Sequence, residues 1–210
     1  MSRGISFSAI LLALAVLQPS VSYAQDLEAV QLYTDADLIA MFRENTHLNR
    51  VSAVDRCQLV QDIKAQAEIE KRPTYQFLYG DMLAWNVCYE RNEELGVRYM
   101  EIAAEQGLPE ALEQLGRYYH EGVLVQKDVE RAILYLREAS SLGNLPAQLR
   151  LADILIAGEG SPYDLEKAYQ WLYQAVTADS ANYQAIRTRL SAMAELMPAR
   201  VVERARRPLG

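Results

Sequence analysis

The sequence predicts an all-α protein: an α-α superhelix of stacked helical hairpins with non-repeat capping helices at both ends. Three observations carry this. Gly80, Gly116 and Ala152 superpose at a spacing of 36 residues without a gap, and the agreement runs on through the whole unit. Within each unit, apolar residues recur at helical spacing in two runs separated by a short loop. Proline opens some of these runs and glycine closes others. A period in this range marks a solenoid, because one helical hairpin is too small to bury its own apolar face and must lean on the next.

Residues 1–24 read as an export signal cleaved before Gln25. Arg3 precedes the apolar run Ile10 to Leu17, and Ser22-Tyr23-Ala24 places small residues where the processing enzyme inspects them. The run is short for a membrane span and the residue after the cut is not cysteine, so a soluble exported product without a lipid anchor is expected. Residues 25–56 form a flank with one short helix: Thr34 caps it, and Leu38, Ile39, Met41 and Phe42 supply its apolar content. CQLVQDIKAQAEIEK, within 57–72, reads as the second helix of a degenerate leading unit, with Cys57 near its start and Ile63 and Ala67 in register with the later units.

The repeats follow at 73–108, 109–144 and 145–180. Asn92, Asp128 and Asp164 share a column, as do Glu94, Glu130 and Glu166, and Ala103, Ala139 and Ala175 are identical. In the middle unit Pro109 starts a helix carrying Ala111, Leu112, Leu115 and Tyr119, which Gly122 ends. Asp128 is placed to cap the next helix, which buries Ala132, Tyr135, Leu136 and Ala139 and stops at Gly143. Gly116 and Ala132 let the two helices approach. Residues 181–210 close the chain as two basic capping helices, Tyr183 to Met197 and Ala199 to Arg207, interrupted by Pro198.

Charge is unevenly placed. The full chain carries −7, and loss of Arg3 with the leader makes it −8. From Gln25 to Ala181 there are 14 Lys and Arg against 26 Asp and Glu; from Asn182 to Gly210 there are six Arg against two Glu. An acidic body argues against nucleic acid as the main partner. Arg200, Arg204, Arg206 and Arg207 of the basic tail are either a solvated helix face or a docking surface for an acidic partner.

Cys57 and Cys88 are the two cysteines. An even pair in an exported protein points to a disulfide, and the repeat register brings both to one edge of the stack. A metal site lacks the ligand spacing. A thiol nucleophile would need His47 or His120, the only histidines, beside it. No phosphate loop, paired metal ligands or serine elbow is present in the sequence, so a non-enzyme without cofactor or metal is expected. The working parts are then the faces of the superhelix. Asp81, Arg117 and Asp153 occupy equivalent positions, as an inter-repeat ion ladder in the first reading and the polar floor of a peptide groove in the second, and Trp85 and Tyr118 add apolar bulk beside them.

Ala111, Leu115-Gly116, Tyr119, Gly122, Asp128, Ala132, Tyr135, Ala139 and Gly143 resemble the Sel1-like repeat, a relative of the tetratricopeptide repeat. A narrower likeness covers about residues 30–207. YTDADLIAMFRENTHLNRV, CQLVQDI, YQFLYGDMLAWNVCYERN, EQGLPEALEQLGRYYHEG and ARVVERARR resemble the periplasmic T-ring components of polar, sodium-type flagellar motors. That resemblance implies a ring subunit present in multiple copies at the basal body and required for motility. Its implied partners are MotY and the B-type, PomB-like stator subunit, and it implies a bridge between Cys57 and Cys88. The second functional reading is a generic periplasmic scaffold for an envelope or peptidoglycan complex, and the third is a thiol hydrolase.

Overall fold

The computed structural model describes residues 32–208; the export signal expected at 1–24 lies outside them. Eleven α-helices and one π-helical turn follow one another, and the described residues contain no strand. The flank contributes α1 (Asp35–Glu44), α2 (His47–Asn49) and the π turn Arg50–Val54. The leading helix is α3 (Val60–Glu68). The three hairpins are α4 (Pro73–Ala84) with α5 (Glu93–Glu105), α6 (Pro109–Glu121) with α7 (Val129–Ser141), and α8 (Leu145–Ile156) with α9 (Asp164–Tyr173). Helices α10 (Ser180–Glu195) and α11 (Ala199–Ala205) cover the far end.

Helix α4 is the most completely enclosed helix. Every residue from Thr74 to Ala84 is buried, as expected of a helix apolar on all sides with neighbours on each. Its neighbours include α1, α2, α3 and α5. Helices α5 to α9 are amphipathic and bury one stripe each: Leu112, Leu115 and Tyr119 of α6 meet Ala132, Leu136 and Ala139 of α7 in the core. A Cβ on Gly116 would stand 2.6 Å from Cγ of Leu136, so glycine there makes room for that side chain between the two helices.

The caps follow the repeat and then depart from it. Asn92 and Asp128 accept from the backbone N–H three residues on and start α5 and α7. Asp164 does not: it is already the first residue of α9, and its carboxylate lies 3.5 Å from Arg137 of α7. Asp179, in the column of the closing glycines Gly107 and Gly143, instead caps α10 by accepting from Asn182. The last helix pair therefore begins at Ser180 rather than Tyr183.

Thr34 and Asp37 form a reciprocal capping box at the start of α1. The flank then folds back along α4. Phe42 meets Phe77 edge to face at 4.7 Å, and Tyr75 Oη donates to the Tyr33 carbonyl at 2.6 Å. Cys57 and Cys88 are joined by a disulfide, with Cα atoms 5.6 Å apart, which ties the turn before α3 to the α4–α5 loop. Helix α3 starts at Val60 and not at Cys57, because Arg56 and Cys57 both hold left-handed backbone angles (φ 50° and 58°) that a right-handed helix cannot contain.

Candidate functional site

The first helices of successive hairpins, α4, α6 and α8, place their equivalent residues on one face, followed by α10. Asp81, Arg117 and Asp153 lie on that face, but they do not form a ladder. Asp81 is 1% exposed and accepts from Gln114 Nε2 at 3.1 Å and from His47 Nε2, 2.7 Å away. Arg117 instead reaches Gln114 Oε1 at 2.7 Å and lies over the ring of Tyr118 at 4.9 Å. Asp153 pairs with Arg189 of α10 at 2.8 Å. The ladder fails because Gln114 and His47 saturate the Asp81 carboxylate, leaving Arg117 no acidic neighbour in the preceding hairpin. It does form once, between Asp153 and Arg189, which stands 36 residues further along the same column.

Burial also corrects two candidate contact residues. Asp81 and Tyr118 are both about 1% exposed and are out of reach of any partner. Tyr118 Oη accepts from Trp85 Nε1 at 2.9 Å and from Gln114 Nε2 at 2.6 Å, and burial pushes the phenol well above its ordinary pKa. Trp85 is 41% exposed and remains on the surface. The flank covers the α4 end of the face: Phe42 packs on Phe77 and His47 on Asp81 of α4, and Arg43 reaches Glu110 of α6 at 3.0 Å.

A cavity of about 290 Å³ lies between the flank, α6 and α8, with Phe42, Arg43, Asn45 and His47 forming the flank's side of it. Arg117 and Arg150 contribute cations to it, and Arg150 approaches Glu113 at 3.7 Å and Glu121 at 2.8 Å. Burial raises the pKa of the Glu113 carboxyl, with Arg117 and Arg150 pulling it down less strongly. Sequence reasoning missed His47, Gln114, Arg150 and Glu113 as members of this face. Gln114 and Arg150 share a column with Leu78, so their alignment with an apolar residue hid them. His47 lies outside the repeat, and no periodic signal could have located it.

The basic tail docks in part on its own body. Arg204 forms a two-pronged pair with Glu166 of α9, holding that carboxyl below its usual range, and Arg206 donates to Tyr169 Oη at 3.1 Å. The Arg207 carbonyl accepts from Gln170 of α9 and from Gln174 just past its end. Arg200 is exposed. His120, weighed as a partner for a catalytic thiol, lies 3.7 Å from Glu159, while both cysteine sulfurs are in the disulfide. Among the described residues, no group of three or more His, Cys, Asp or Glu is placed to hold a metal ion, and no helix is long and apolar enough to cross a membrane.

Stacked hairpins with an extended face of this kind define a Sel1-repeat solenoid. A sequence model of the Sel1 repeat matches residues 74–108, 109–144 and 145–180. Two solved structures share the fold. A Sel1 repeat protein from Oxalobacter formigenes superposes with a TM-score of 0.55 at 25% identity over 61% of this chain and 97% of its own. A protective antigen of uropathogenic Escherichia coli strains, displaying an SLR fold, superposes with a TM-score of 0.56 at 25% identity over 71% of this chain and 31% of its own. In sequence, the chain is 52% identical over 200 residues to the sodium-type polar flagellar protein MotX of Vibrio parahaemolyticus serotype O3:K6, spanning 95% of this chain and 94% of that one. The chain belongs to the MotX family of Sel1-repeat proteins.

Proposed function

We propose that this chain is a non-enzymatic periplasmic subunit of a polar flagellar motor, required for motility. With MotY it forms a ring at the basal body, and there it captures the B-type stator subunit around the rotor. The observation that supports this best is the extent of the likeness to MotX, which covers almost the full length of both chains, flanks included, and not the repeats alone. The physics fits. An adaptor needs a rigid body with a large surface, and here a disulfide, a fully buried central helix and a docked flank brace a stack of helix pairs.

The test is a deletion strain complemented with the chain carrying its own leader. Loss of swimming on deletion, loss of stator foci at the flagellated pole, and recovery of both on complementation are expected. A deletion strain that swims normally with its stators at the pole would overturn the proposal.

A further inference from the structure

We propose that the cavity between the edge of the flank, α6 and α8 is a docking groove for an acidic segment of a partner protein, with Arg117 receiving its carboxylate. The cavity, of about 290 Å³, is walled by Arg43 and Asn45 at the edge of the flank, Glu113 and Arg117 of α6, and Pro146 and Arg150 of α8. Its carboxylates already have cations beside them: Glu110 has Arg43 at 3.0 Å, and Glu113 has Arg150 at 3.7 Å and, beyond salt-bridge distance, Arg117 one turn along α6. Arg117 differs. Among the described residues it has no carboxylate within salt-bridge distance, although it stands in a body where acidic residues outnumber basic ones almost two to one.

The guanidinium is also held ready. Gln114 Nε2 is committed to Asp81 and to Tyr118 Oη, which fixes the amide and turns its Oε1 toward Arg117 Nη2 at 2.7 Å. Asp81 is itself anchored by buried His47 at 2.7 Å. A chain of four side chains thus aims one cation while using only one of its five N–H donors, and a guanidinium fork is suited to a carboxylate. The acidic body around the groove repels the same segment, so within the repeats the attraction is concentrated at this spot. The flank offers a precedent of opposite sign: its helix already lies on this face with a cation, Arg43, bound to a carboxylate of α6.

The groove chemistry stands on the structure alone; the identity of the partner rests on the motor reading. Pro146 is exposed at the rim of the cavity, and a photo-crosslinking residue placed there in the full chain reports what enters. In cells, the crosslinked peptide is expected to be rich in Asp and Glu. Arg117→Gln is expected to lower its yield by about tenfold, the loss of one charge-assisted contact. Arg117→Lys retains a larger share, and Arg98→Gln, on the exposed side of α5, changes nothing. A yield indifferent to Arg117→Gln, a crosslinked segment without carboxylates, a lipid or nucleic-acid adduct, or no adduct would each overturn the proposal. An acidic segment from outside the motor would keep the groove and remove the motor reading. Loss of swimming on deletion without an acidic crosslink would do the reverse.

Discussion

The carbonyl oxygen of Gly96 lies 2.7 Å from where a Cβ on Gly80 would stand, and that of Gly80 lies 2.6 Å from the equivalent point on Gly96. Helices α4 and α5 therefore touch backbone to backbone. Alanine at Gly80 would gain about 1 kcal/mol of helix propensity and meet a carbonyl that cannot move without its helix. The expected net loss is about 2 kcal/mol in urea unfolding. At Gly116 the obstacle is the Leu136 side chain, which can turn aside, so Gly116→Ala is expected to cost less. Equal losses at the two sites would contradict the backbone contact.

The disulfide closes a loop of 31 residues. In the chain-entropy account this stabilises the fold by about 3 to 4 kcal/mol. Cys57→Ser and Cys88→Ser should each remove that amount, and the double variant little more, because one bond is lost in all three. Denaturation of the variants, with a reductant control on the wild type, gives the comparison. A double loss near twice the single would show that the residues act separately.

The hairpins were legible because their signals are local and repeated: Pro109, Gly122, Asp128 and Gly143 each state a helix end at the same offset in the unit. The candidate face was legible only as a column. Column logic placed Asp81, Arg117 and Asp153 together, yet it could not say which partner each would choose, since His47 and Gln114 reach Asp81 from outside that column. Side chains that satisfy a buried charge are set by tertiary packing of a non-repeat flank, for which one sequence contains no periodicity. The terminal helices were displaced for a similar reason, because where the stack ends Asp164 falls inside α9 instead of capping it and Asp179 caps α10.

Asp81 is a core residue on this account, and its removal should be felt as lost stability. Asp81→Ala leaves the buried His47 ring and the Gln114 amide without their common acceptor, at an expected cost of about 1 to 3 kcal/mol for each donor left unpaired. His47→Ala should cost a comparable amount. Thermal unfolding decides: an Asp81→Ala protein that melts with the wild type and loses only a partner contact would return the residue to the surface.

Glu113 should oppose folding as it ionises. Its folded-state pKa is raised by burial above the usual 4.5, so the folded protein holds the proton more tightly than the unfolded chain does. The associated stability is complete below the unfolded value and is lost as pH rises through the folded one. Glu113→Gln has no such proton to lose. The variant should therefore melt higher than the wild type at pH 7, with the advantage shrinking as pH approaches 4.5. A pH-independent difference would show that packing, not ionisation, separates them.

The pair Arg204–Glu166 fastens α11 to α9, and it makes a prediction of opposite pH sense. The Glu166 carboxyl is held below its usual value of 4.5, first by the Arg204 hydrogen bonds, so its contribution is complete above that value and lost as pH falls through the folded pKa. Arg204→Glu places two carboxylates together and should speed amide exchange in α11 about threefold at neutral pH, with the repeats unaffected. Adding Glu166→Arg restores the pair in reverse and should restore protection. If the double variant exchanges as fast as Arg204→Glu alone, Val202 and Ala205, buried against the body, hold the helix without the charges.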